Sequence, residues 1–513
     1  MSRARPRGGS LEPLAEGVLL PPFGGHAAPG WVLAALERGL AGVTLFGQNV
    51  ASPGQLSGLT RALRSAGQEP VIAIDEEGGD VTRLAHRTGS PYPGNAALGA
   101  VDDTELTRAV YRALGADLAE AGINTDLAPS VDVNTAAGNP VIGTRSFGSD
   151  TALVCRHAAA AVAGLQSAGV AACAKHFPGH GSTREDTHHV VAAVEGGISR
   201  VRARDLPPFA AAISAGVAAV MPGHLRVAGL TGDQPATFSA AALGGLLRGE
   251  LGFTGLIISD ALEMRAVSQP GGIASAATAA LAAGVDLLCL GRDQDEDDYL
   301  AVRAAIVAAV GAGRLPEGRL ASAAQRVTSF RQALARPVPA AGTGPDGRIG
   351  LAAARRALEA SGLPALLTAP LVVEFARPGN IAAGPVPWGL GPWVPAGSVL
   401  QVPAGDGTPA SAVAADAVRR AAGRPVIVVV RDAHRSPRAR EVISRLLAQR
   451  PDLIVVEMGL PVWRPPARTY LATYGASGAS GQAAAELLGL AGPAPAGPDH
   501  RAGIRSRPPR ETG

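Results

Sequence analysis

Seven short apolar runs recur over the first two thirds of the chain, each ending in polar or charged residues and each followed by an Ala/Leu-rich stretch of helical character. They are Gly42 to Phe46, Val71 to Asp75, Ile123 to Leu127, Gly169 to Lys175, Val217 to Met221, Leu256 to Asp260 and Val285 to Leu288. Strands buried on both faces read as near-continuous apolar runs, and their alternation with helices marks a parallel α/β fold. Helical segments are expected at 103–121, 151–168, 240–251 and 272–283. A doubly wound sheet shares the alternation. Seven or eight units over roughly 320 residues favour a (β/α)8 TIM-type barrel, whose reactive groups emerge at strand C-terminal ends. Asp75, Lys175 and Asp260 stand at such ends.

At 513 residues the chain exceeds one ordinary core, so a second domain is expected. The barrel is assigned to residues 11–335, behind a disordered tail at 1–10. Residues 336–350, rich in Pro and Gly, read as a linker. A smaller C-terminal α/β domain follows at 351–490. Its strand-like runs are Leu371 to Phe375, Val426 to Val430 and Leu453 to Val456, with helices at 410–422 and 436–450, the latter opening on Ser436-Pro437. Residues 491–513 read as a second disordered tail.

The formal charge of +3 is a property of the ends: the two tails together hold +5, leaving the body at −2. A nucleic-acid partner would need a basic face in the body, and none is indicated. No apolar run reaches the length of a membrane span, and the N-terminal arginines precede no continuous apolar segment, so a cytoplasmic protein with no membrane partner is expected. Cys155, Cys173 and Cys289 are odd in number and lie among apolar residues, which suggests free buried thiols.

Within this frame, rare side chains concentrate at one place. Lys175 is the single lysine among 46 Lys plus Arg residues, in the segment Lys175-His176-Phe177-Pro178-Gly179-His180-Gly181. Four of the ten histidines, His176, His180, His188 and His189, fall within fourteen residues, with Asp186 among them. Two histidines four apart could ligate a metal on a helix, but Pro178, Gly179 and Gly181 oppose a helix there and Lys175 would repel the ion, so no metal is expected. Asp186 and His188 are one residue apart. On an irregular loop the carboxylate can fold back to fix the imidazole tautomer, leaving the other ring nitrogen to move a proton.

Three further polar concentrations stand out: Asp75-Glu76-Glu77-Gly78-Gly79-Asp80-Val81-Thr82-Arg83, Asn139 to Phe147, and Ile258-Ser259-Asp260-Ala261-Leu262-Glu263-Met264. Arg145 in the second could orient a substrate or anchor its loop. Asp260, ending a strand, is a candidate carboxylate nucleophile.

Taken in order, Asp-x-Glu-Gly-Gly at 75–79, Asn-Pro-Val-Ile-Gly-x-Arg-Ser-Phe-Gly at 139–148, Lys-His-Phe-Pro-Gly-His-Gly at 175–181, Asp-Thr-His at 186–188 and Ser-Asp-Ala-Leu-Glu-Met at 259–264 resemble glycoside hydrolase family 3, in its β-N-acetylglucosaminidase (NagZ-type) branch. The resemblance covers about residues 12–335. It implies a retaining double displacement with Asp260 as nucleophile, His188 with Asp186 as acid/base, and no cofactor. It assigns sugar contacts to Asp75, Arg83, Arg145, Lys175 and His176. The implied partner is a small N-acetylglucosamine glycoside, with a cell-wall (muropeptide) fragment as the expected source. Glu76, Asp80 and Thr187 depart from the family pattern of Gln, Arg and Ser. Rival readings are a phosphorylase using phosphate as acceptor, a β-glucosidase, a non-catalytic sugar-binding protein, and a lyase or aldolase using Lys175 as a Schiff-base amine.

Overall fold

The computed structural model describes residues 10–187, 189–268, 271–336, 347–363, 367–376, 382–395, 397–405 and 407–490. The chain divides into two compact units. The first comprises Met1–Glu76, Tyr111–Val133 and Asp150–Pro345, and the second Glu77–Val110, Asn134–Ser149 and Asp346–Gly513. Stretches 77–110 and 134–149, placed with the barrel in the sequence reading, follow barrel strands as long connections and cluster with the second unit.

The first unit is built on eight parallel strands: β1 (Leu19–Leu20), β2 (Gly42–Leu45), β3 (Val71–Ile74), β4 (Thr125–Asp126), β5 (Ala171–Phe177), β6 (Ala219–Pro222), β7 (Leu256–Ile257) and β8 (Leu288–Cys289). Strands β2 to β7 pair in chain order. Closure comes from three further links. Ile258 bridges Leu287 in parallel, Leu19 and Leu20 pair with Leu288 and Cys289, and the Thr44 amide donates to the Pro21 carbonyl at 3.2 Å. The sheet has no free edge, as a (β/α)8 barrel requires. The strand absent from the sequence reading, β1, is two residues long and runs directly into Pro21-Pro22, too short to show a pattern.

Barrel interiors are filled by side chains rather than water. Here Leu20, Val71, Ala73, Leu127, Cys173, Met221, Leu256, Ile258 and Leu287 form the filling, with Val327 from the helix Glu317–Leu334. Cys173 and Cys289 are free and buried, whereas Cys155 is half-exposed. Burial pushes the Cys289 thiol up to about 12 and that of Cys173 further, so neither is a ready nucleophile. The expected helices form at Thr104–Glu120, Thr151–Ser167 and Gly272–Ala283, while 241–250 winds as a π-helix.

The second unit holds a six-stranded sheet from β9 (Glu359–Ser361), β10 (Leu371–Phe375), β11 (Val399–Val402), β12 (Val426–Val430), β13 (Ile454–Glu457) and β14 (Thr469–Ala472), in the order β9-β14-β13-β12-β10-β11. Only β9 runs antiparallel, to β14. Alternate residues of β12 serve opposite cores: Val426, Val428 and Val430 pack with helices Ala410–Ala421 and Pro437–Gln449, and Ile427 and Val429 with helices 347–357 and Gly478–Leu487. That two-sided burial explains the uninterrupted Val/Ile run. Ser436 caps its helix by accepting from the Ala439 amide, as the Ser-Pro pair indicated. Helix Gly347–Ala357 begins inside the stretch read as linker. Residues 337–346 and both expected tails, 1–9 and 491–513, lie outside the described residues. Among the described residues no helix is long and apolar enough to cross a membrane.

One buried charge stitches the foot of the barrel. Asp286, fully buried just before β8, accepts from Arg248 at 2.5 Å, Arg319 at 3.0 Å and the Ile257 amide at 3.1 Å. Removing one partner of a buried pair leaves the other charge uncompensated. Asp286→Ala is therefore expected to lose about 3 kcal/mol or more of unfolding free energy in urea titrations. A loss below about 1 kcal/mol would show that the network contributes little.

Candidate active site

In the first unit the strand ends deliver the reactive groups. Asp75 directly follows β3, Asp126 ends β4, Lys175 and His176 lie on β5, and Asp260 comes three residues after β7. The β5–β6 register shifts between Lys175 and Phe177, an irregularity of the kind that re-aims side chains beside sites. The peptide between Lys175 and His176 is cis.

Lys175 is buried, and its Nζ donates to Asp75 Oδ1 at 2.7 Å. Asp75 remains part-exposed, with 21% of its side chain accessible, so the pair presents a carboxylate at the barrel mouth backed by a fixed cation. An ammonium held in this way is a hydrogen-bond donor, not a free-amine nucleophile, which counts against the Schiff-base reading. Near the pair lies Asp126, fully buried, with Oδ1 accepting the Glu76 amide at 2.9 Å and Oδ2 making no hydrogen bond among the described residues. Burial holds the Asp126 carboxyl well above the usual carboxylate range, and the carboxylates of Glu76 and Asp75 add to this.

A second carboxylate, Asp132, organises the turn after β5. Its Oδ2 accepts from His176 Nδ1 at 2.8 Å and from Ser130 Oγ at 3.0 Å, while Oδ1 accepts the amides of His176 at 3.3 Å and His180 at 2.6 Å. Burial by itself pushes this carboxyl up. The adjacent His176 and the donated hydrogen bonds outweigh it and hold Asp132 below its ordinary value. A carboxylate on Nδ1 fixes the ring orientation of His176.

His180 is buried and serves the loop. Its Nδ1 is bonded to Thr183 Oγ1 at 2.7 Å and its Nε2 to Thr187 Oγ1 at 3.0 Å. Both ring nitrogens are thus engaged by hydroxyls, which counts against a metal role for this histidine. Thr187 is the middle residue of Asp186-Thr187-His188, and the bond to His180 holds its side chain. Asp186 is part-buried, its carbonyl accepting the amides of His189 and Val190 at 3.0 and 3.1 Å. His188 lies outside the described residues.

Asp260 is part-exposed, and its Oδ1 accepts the Ala261 amide at 2.8 Å. Its backbone is locked from two sides. Ser259 Oγ accepts the Cys289 amide at 2.9 Å, and His224 Nε2 donates to the Ala261 carbonyl at 3.0 Å. Because a carbonyl can only accept, Nε2 of His224 carries the proton.

Arg83 and Arg145 belong to the second unit. Arg145 forms a two-pronged pair with Glu77, Nε to Oε2 at 2.9 Å and Nη2 to Oε1 at 2.7 Å, and Nη1 reaches the Val141 carbonyl at 3.2 Å. That geometry fits the loop-anchor alternative. Arg83 donates to the carbonyls of Ala383 and Ala382 at 3.2 and 2.7 Å.

Sequence reasoning passed over Asp126, Asp132 and His224. His224 could have been found, since it is one of ten histidines and follows the Val217 to Met221 run at a strand end. Asp132 lies six residues beyond the end of β4, where spacing carries no signal.

The family model for the glycosyl hydrolase family 3 N-terminal domain matches residues 32–330. The chain belongs to glycosyl hydrolase family 3. It is 37% identical over 324 residues to a protein named beta-hexosaminidase from Stenotrophomonas maltophilia strain K279a, covering 59% of this chain and 95% of the relative. A beta-hexosaminidase from Xylella fastidiosa strain M23 is 38% identical over 293 residues, covering 54% and 86%. Among solved structures, a family 3 β-N-acetylglucosaminidase from Paenibacillus sp. FPU-7 superposes with a TM-score of 0.82 at 31% identity, covering 94% of this chain and 97% of that one. The likeness to that protein thus extends through both units.

The two buried carboxyls carry opposite pH signatures. Asp126, raised in the folded state, contributes stability that is present below about pH 4 and is lost as the pH climbs toward its raised value. Asp132, lowered, contributes stability present above about pH 4 and lost on acidification. Asp126→Asn removes the first titration, so its melting temperature relative to the parent should rise between pH 4 and pH 8. A constant or falling difference across that range would contradict a raised Asp126.

Proposed function

We propose that the protein is a retaining exo-β-N-acetylglucosaminidase that removes terminal β-linked N-acetylglucosamine. The observation that carries the reading is Asp260, held at the end of β7 by bonds to both flanking residues, with its carboxylate part-exposed at the barrel end that also carries the Lys175–Asp75 pair. The naming of the Stenotrophomonas, Xylella and Paenibacillus relatives supports an N-acetylhexosamine substrate.

In the first step Asp260 attacks the anomeric carbon as the glycosidic bond breaks, and His188, oriented by Asp186, gives its proton to the leaving oxygen. In the second step His188 removes a proton from water, whose oxygen displaces Asp260 and releases the sugar with its configuration retained. Asp75 and Lys175 take sugar hydroxyls as acceptor and donor, and His176 takes another. The resemblance assigns further sugar contacts to Arg83 and Arg145, although Arg145 here makes the anchoring pair with Glu77. No cofactor takes part, since every group in the cycle is a side chain or water. Cell-wall fragments as the natural substrate are carried by the resemblance alone.

Turnover of an aryl N-acetyl-β-glucosaminide tests the reading. Asp260→Ala is expected to lower kcat by about 10³-fold or more with the fold intact by circular dichroism. Parent activity should exceed that on the corresponding aryl glucoside, and added phosphate should not divert product to sugar 1-phosphate. Unchanged turnover in Asp260→Ala would remove the nucleophile assignment. Preference for the glucoside would overturn the substrate, and accumulation of sugar 1-phosphate would make the protein a phosphorylase.

A further inference from the structure

The second unit carries a pocket of its own. In its sheet β10 pairs with β11 on one side and β12 on the other, so the chain leaves β10 in one direction and returns past it. At such a switch point the loops beyond the carboxyl ends of the strands part and leave a crevice, the usual ligand position of open parallel sheets. A cavity of about 450 Å³ lies there, lined by the ends of β10 (Glu374, Phe375), Gln401 of β11, Arg431 after β12, and the segment 384–388 with Trp388. The volume suits a small ligand.

The wall is built rather than accidental. Glu374 is 6% exposed, and its Oε1 accepts the amides of Leu390 and Gly391 at 2.6 and 2.9 Å, while Oε2 accepts Gln401 Nε2 at 2.6 Å. Gly389 has φ +106°, and a Cβ there would lie 2.4 Å from Glu374 Oε1, so only glycine allows this approach. A buried carboxylate is thus spent on fixing the strand of chain that presents Trp388. From its other end the segment is held by Arg83, through the carbonyls of Ala382 and Ala383. Arg431 Nη2 pairs with Asp80 Oδ2 at 2.9 Å.

Each charged group in the lining has partners within the protein, Glu374 three N–H donors and Arg431 the Asp80 carboxylate. The lining thus combines an aromatic ring and an amide with polar groups already held in place. That combination suits a neutral polyhydroxylated molecule, whose C–H face lies on the indole and whose hydroxyls meet the polar groups, better than an ion.

We propose that this pocket binds a neutral saccharide unit, using none of the residues assigned to catalysis. The saccharide class stands on the pocket alone, and the choice of an N-acetylated probe rests on the function proposed above. Calorimetric titration of the full chain with N,N′,N″-triacetylchitotriose, in an Asp260→Asn background, should show binding that Trp388→Ala and Gln401→Ala each weaken by about tenfold at one class of site, with Trp388→Phe close to the parent. With Asp260 restored, Trp388→Ala and Gln401→Ala should keep kcat/KM on the aryl glycoside within about twofold of the parent. Unchanged isotherms in both alanine variants would overturn the proposal, as would competition by inorganic phosphate, or equal loss of aryl glycoside turnover. Failure of the catalytic reading shows separately, as turnover surviving Asp260→Asn.

Discussion

The carboxylate of Asp132 is the interaction on which the site depends. It sits on the connection after β4 and gathers four donors, Ser130 Oγ, the amides of His176 and His180, and His176 Nδ1. Those bonds fix where the chain goes after β5, the orientation of the His176 ring, and where His180 sits to hold Thr183 and Thr187. Thr183 and Thr187 are thereby tied back to the barrel through one buried anion. Burial alone would disfavour a charge there, and only the concentration of donors around it reverses the balance.

The same end of the barrel carries carboxyls in three conditions. Asp132 is charged and saturated with donors. Asp126 is buried, with one oxygen unbonded among the described residues, and is pushed toward its neutral form. Asp260 is part-exposed and shares one oxygen with its own chain. Three carboxyls near one another thus differ in burial and in the donors they receive, which is how one site can hold acidic groups in different protonation states.

Much of this was legible in the residues. Buried parallel strands and amphipathic helices alternate with periods that sequence displays directly, so β2, β3 and β5, and β10 and β12 of the second unit, stand within about a residue or two of the apolar runs that announced them. The strand-end positions of Asp75, Lys175 and Asp260 followed from the barrel, and two of the rare residues, Lys175 and His176, stand on β5. Short or half-exposed strands escaped: β1 stops at prolines, and β11 with its sequence Val-Leu-Gln-Val lies at the sheet edge. Contacts between residues far apart in the chain, such as Asp132 with His176 or Glu77 with Arg145, have no periodic signature. Arg145, read as substrate holder or loop anchor, shows the anchoring geometry through a partner that sequence could not name.

In the proposed reaction Asp260 is the group that bonds to the sugar. A mechanism-based fluoroglycoside that traps the glycosyl-enzyme, followed by proteolysis and mass spectrometry, tests it directly. The expected result is one added glycosyl mass on the peptide containing Ser259-Asp260-Ala261, assigned by fragmentation to Asp260 and absent in Asp260→Ala. A label on Asp75, Asp186 or any other residue would contradict it.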